Sequence, residues 1–99
     1  MKLILDDRRP MPDGPYNCVR SYAECVDFLR IFRTISFISL DYDLGTKETG
    51  YDVLVYMAEH GISPAHINIH SDHSLGVPKM RAYAEEKFPH TRLTFNPLD

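Results

Sequence analysis

Leu3-Ile4-Leu5 places three long apolar side chains in a row and runs into Asp6-Asp7 without helical spacing, so Lys2 to Asp6 reads as a short buried strand. Three prolines and a glycine follow within Arg8 to Pro15, which excludes a helix and predicts a loop. Tyr16 to Arg20 is expected to form a brief second strand. Ser21-Tyr22-Ala23-Glu24 has the form of a capping box and marks a helix start. Tyr22, Cys25, Val26, Leu29 and Phe32 recur at spacings of three and four, giving one apolar stripe through about Arg33.

The run Ile35 to Leu40 is β-branched and aromatic, and apolar enough on both parities to predict a strand buried on both faces. It ends at Asp41. Asp43 to Gly50 is polar and glycine-bearing, hence a loop, and Thr49 to Asp52 offers a second capping pattern ahead of Val53, Leu54, Met57 and Ala58. Gly61 closes that helix. His66 to His70 is a compact strand, Ser71 to Gly76 a polar loop, and Pro78 suits the first turn of a helix reaching Phe88. Arg92 to Phe95 makes the last strand.

Strands alternating with helical stretches predict crossover units, a parallel sheet with helices on both faces and, as the natural order, the flavodoxin-like 2-1-3-4-5. The length of 99 residues allows one domain, 1–99, with any site built on the scaffold itself. A net charge of −3 argues against an extended basic surface for nucleic acid and favours a small or locally held ligand. Cys18 and Cys25 form no CxxC pair and read as reduced structural thiols. No 18 apolar residues run together and no leader follows Met1, so a cytoplasmic location away from membranes is expected.

Ligands of such sheets bind beyond the carboxyl ends of the strands. There the strands end in Asp6 and Asp7, in Asp41 and in His70. Adjacent strands about 4.8 Å apart would hold the outer two of these side chains roughly 10 Å from each other, the span of a phosphate and a hydrated cation. Crowded carboxylates repel, and a hard divalent cation, most simply Mg²⁺, relieves them; Asp6, Asp7 and Asp41 are the candidate ligands. Asp43 reads equally as a turn starter. His66 and His70 do not suggest zinc, because on a strand they stand roughly 13 Å apart. His70 and His73 are candidate proton carriers near a phosphate. Ser71, Ser74, Gly76 and Lys79 at the third helix start, with Arg8 or Arg9, are candidate phosphate contacts, although each type is also common on plain surface.

LDDRRPMPDG, SLDYDLG, TGYD and the IHS segment with Gly76 and Met80 together resemble the cyclic-phosphate processing receiver-like family, which is related to response-regulator receiver domains. The resemblance covers most of the chain. It implies a receiver-like three-layer sandwich whose first helix is replaced by the proline-rich loop, and a pocket proposed to process cyclic phosphates on nucleotides or RNA ends. It implies acidic, metal-facing roles for Asp6, Asp7 and Asp41 and phosphate handling by His70 and Ser71. The chain departs from the family pattern at His73-Ser74, where that pattern has Asn and Pro. It also has Asn96 before Pro97, where a phosphoacceptor receiver has a lysine.

The first functional expectation is therefore Mg²⁺-assisted hydrolysis of a cyclic phosphodiester, with Asp41 also a possible nucleophile. A module that binds a cyclic nucleotide without cleaving it and a divergent phosphoacceptor receiver switched at Asp41 are the alternatives.

Overall fold

A computed structural model describes residues 1–98. Five parallel strands, β1 (Lys2–Leu5), β2 (Asn17–Val19), β3 (Phe37–Leu40), β4 (His66–Ile69) and β5 (Arg92–Thr94), form one sheet in the order β2-β1-β3-β4-β5. Three helices, α1 (Tyr22–Ile31), α2 (Gly50–Glu59) and α3 (Gly76–Lys87), connect them. This is the receiver-like sheet order that the sequence predicts.

The caps explain where the helices begin. Ser21 is extended and its hydroxyl accepts the Glu24 amide at 3.1 Å, while the Glu24 carboxylate accepts the Arg20 amide at 3.0 Å. Thr49 and Asp52 form the capping box of α2, with the Asp52 carboxylate accepting the Thr49 amide at 2.7 Å. α1 ends earlier than its apolar stripe, at Ile31, with Phe32 in a non-helical conformation.

The three helices travel with the chain in one direction across the sheet, from β2 past β1 to β3, then to β4 and β5. Right-handed crossovers in one direction fall on one face. Accordingly α1 packs beside α2 and α2 beside α3. Cys25 and Leu29, Val53, Leu54 and Met57, and Met80 and Ala84 share one core with Leu3, Leu5, Ile38, Leu40, Ile67 and Ile69. Burial in this core pushes the Cys25 thiol up to about 12, and both cysteines are free.

The step from β1 to β2 runs the other way, so its connection belongs on the opposite face, and there the proline-rich loop stands in for a helix. The helices thus form a single layer instead of flanking the sheet on both sides. The third layer of the sandwich is loop and carboxyl-terminal segment. On that face the register aligns Cys18, Ile4, Ser39, Asn68 and Thr94 in one row. Among the described residues no helix is long and apolar enough to cross a membrane.

Candidate functional site

Each of the three central strands continues its ladder by one residue past its formal end. The Asp6 amide donates to Val19, the Asp41 amide to Leu5 and the His70 amide to Leu40, at 3.2, 3.1 and 3.0 Å. These bonds hold Asp6, Asp41 and His70 side by side at the carboxyl edge of the sheet. One ligating atom of each lies within 4.8 Å of the others. A polar hollow of about 140 Å³ opens above them, lined by Asp6, Arg8, Arg9, Asp41, Asp43, Ser71, Asp72 and His73.

Asp6 is 1% exposed, and each of its carboxylate oxygens has partners within the protein. Its Oδ1 accepts the backbone amides of Arg8 and Arg9, both at 2.9 Å, while Oδ2 lies 3.0 Å from His70 Nε2 and 3.6 Å from Arg9 Nε. Burial opposes its ionisation, but the two amides and His70 outweigh burial and hold the carboxyl below its usual range. Arg20 pins the turn from below, donating to the carbonyl oxygens of Asp6 and Arg9 at 3.2 and 2.6 Å. Asp41 is the opposite case: burial and the neighbouring Asp6 charge push its carboxyl up, against the Ser71 hydroxyl beside it. Two acids at one edge are thereby driven apart in proton affinity, an arrangement suited to dividing roles between a fixed anion and a proton carrier.

The other expected residues fall into two groups. His73 and Ser71 join the hollow. His73 Nδ1 accepts the Gly76 amide at 2.9 Å and its ring packs on Tyr42 with centroids 4.6 Å apart, so Nε2 is the nitrogen left for a ligand. Ser71 Oγ accepts the His73 amide at 3.2 Å. Arg8 lines the hollow with an exposed side chain. Gly76, whose amide is taken by His73, serves close packing instead, since a β-carbon there would enter the Tyr42 ring. Lys79 is not in the lining; its Nζ lies 4.2 Å over the Tyr51 ring. Asp7 is also outside the lining, against Gly45, and its Oδ1 is buried with no hydrogen-bond partner among the described residues.

His70 has a side chain with 0% exposure, and both ring nitrogens have partners within the protein: Asp6 at Nε2 and Ser39 Oγ at Nδ1, 2.8 Å away. Direct proton exchange with a ligand, the expectation from sequence, does not fit a ring enclosed in this way. Asp6, His70 and Ser39 have the composition of a hydrolytic triad, yet Ser39 is fully buried and no reacting atom reaches it. Asp72, Ser39 and Asn68 escaped the sequence reading. The signal for the last two was the polar residue at every second position of β4, His66, Asn68 and His70, opposite Ser39 and Asp41.

A larger hollow of about 270 Å³ opens on the loop-covered face between Tyr16, Phe37, His66, Thr94 and the segment Asn96 to Leu98. Among the described residues its lining contains no carboxylate, and the convergence of charge marks the smaller hollow as the functional candidate.

Fold and pocket together define a receiver-like domain with an acidic edge. The family model for the cyclic-phosphate processing receiver domain matches residues 1–86, and the chain belongs to that family. No curated relative and no solved structure matches the chain.

Proposed function

We propose that the protein hydrolyses a cyclic phosphate on a small nucleotide or an RNA terminus. The observation that carries this reading is the pair of neighbouring carboxylates, Asp6 and Asp41, driven apart in proton affinity at the floor of an open polar hollow. In the reaction water adds across one P–O ester bond of the ring: its oxygen ends on phosphorus and one of its protons on the released hydroxyl. Asp41, with raised proton affinity, is the group that moves this proton. His73 offers an Nε2–H to a phosphoryl oxygen, because its other nitrogen is held by the Gly76 amide. Arg8 and Arg9 at the rim attract and orient the anion.

Oxygen donors from Asp6 and Asp41 would hold a hard divalent cation such as Mg²⁺, whereas Asp7, turned toward Gly45, stands outside that set. Such an ion, when bound, supplies neutralisation of the phosphoryl charge. A signalling switch at Asp41 is less well supported: Asn96, at the place of the receiver lysine, has its amide and carbonyl bonded to Asn68 at 3.0 and 2.9 Å and brings no cation. The test is a panel of cyclic mononucleotides, cyclic dinucleotides and 2′,3′-cyclic RNA ends, with and without Mg²⁺. Ring opening of at least one member supports the reading. Stoichiometric binding with every ligand recovered intact would replace it with a binding module.

A further inference from the structure

Beneath Asp6 lies a chain of buried side chains that the hydrolysis above does not use. Asn68 fixes its direction. The Asn96 amide donates to Asn68 Oδ1 at 3.0 Å, and Asn68 Nδ2 donates to the Asn96 carbonyl at 2.9 Å. Turning the carboxamide over would set donor against donor and acceptor against acceptor, and the backbone cannot exchange its own. Oδ1 also accepts the Thr94 hydroxyl at 2.7 Å, and the second hydrogen of Nδ2 goes to Ser39 Oγ at 3.0 Å.

Ser39 is therefore an acceptor toward Asn68, and its own hydrogen has His70 Nδ1 to donate to, at 2.8 Å. Nδ1 must then be bare, and the proton of a neutral ring sits on Nε2, aimed at Asp6 Oδ2 at 3.0 Å. The opposite tautomer would bury the Ser39 hydrogen without a partner and set a ring lone pair against the Asp6 carboxylate. Each of these faults leaves a buried polar group unsatisfied, which a native interior rarely tolerates.

We propose that Ser39 and Asn68 are positioning residues of the acid pocket, fixing His70 as the Nε2–H tautomer and so as a standing donor to Asp6. His70 is thereby closed to use as a metal ligand or a ligand-facing base. Its task is to hold Asp6 Oδ2 in a fixed orientation through a standing hydrogen bond. The tautomer rests on geometry alone, and its value for turnover rests on the hydrolytic reading of the pocket.

Histidine ¹⁵N–¹H correlation spectra of the full chain test this, with His70 assigned by its absence from a His70→Gln sample. The wild type is expected to show an unprotonated Nδ1 and a protonated Nε2 on His70; a protonated Nδ1 would overturn the proposal. In Asn68→Asp the new carboxylate takes the Ser39 hydrogen, Ser39 turns its lone pair to the ring, and a proton appears on Nδ1. A folded Asn68→Asp protein with Nδ1 still bare would also overturn it. The same variant is expected to lose about 10-fold or more in kcat with KM unchanged. The wild-type spectrum decides the tautomer even where the variant does not fold. The expected tautomer in a protein that opens no cyclic phosphate would sink the functional reading and leave the positioning intact.

Discussion

The two faces of the sheet use the same strands for opposite ends. On the helix-covered face Leu3, Leu5, Ile38, Leu40, Ile67 and Ile69 meet three helices in a continuous apolar core. One residue along, on the loop-covered face, Ser39, Asn68 and Thr94 form a hydrogen-bonded row that leads through His70 to Asp6. Alternation along a strand separates stability from function at a distance of one residue. Burial on the first face supplies the free energy, and the second carries buried polar groups that stay buried only because each finds a partner.

The largest effect expected from breaking this division is on the helix side. Leu54, fully buried in α2, should cost roughly 2–5 kcal/mol when changed to Ala, read as a fall in the urea midpoint. A cost below about 1 kcal/mol would mean that the helix layer is not the main source of stability. On the polar side Ser39→Ala removes little volume but leaves His70 Nδ1 and one Asn68 hydrogen without partners, and about 1–3 kcal/mol should be lost. Full stability in that variant would show that the row is not closed.

A smaller effect, dependent on pH, sharpens the comparison within the polar face. Burial lowers the proton affinity of His70, although Asp6 and Asp41 oppose this, and burial and Arg92 lower that of His66. Their contribution is complete above the ordinary value of 6.5 and is lost as pH falls through the lower folded values, because the unfolded chain takes up protons first. Asp41 has the opposite sign: its raised carboxyl favours the folded state as pH falls toward the ordinary 3.8. The drop in urea midpoint between about pH 8 and about pH 4 should therefore be steeper in Asp41→Asn than in the wild type. Equal slopes would argue that Asp41 does not titrate against the buried histidines.

Much of this was legible in the sequence. Strands that end in ionisable residues announced the acidic edge, and both capping boxes fixed helix starts at Ser21 and Thr49. The placement of all three helices on one side followed from the strand order and right-handed crossovers, but counting alternating elements as a doubly wound sheet led to the expectation of two helical layers. Ser39 was hidden because the apolar run Ile35 to Leu40, with two serines, reads as buried on both faces without revealing that the Ser39 hydroxyl, fully buried, is a link. The orientation of Asp7 toward Gly45 and the closure of His70 depend on side-chain directions at strand ends, which residue spacing does not encode.

The division of roles between the two acids is tested most directly by following ring opening of a 2′,3′-cyclic nucleotide with ³¹P NMR, using wild type and Asp41→Asn at matched folded concentration. The wild type should convert the cyclic ester to a monoester, and Asp41→Asn should do so at least about 100-fold more slowly while remaining folded. Equal rates in the two proteins would contradict the account.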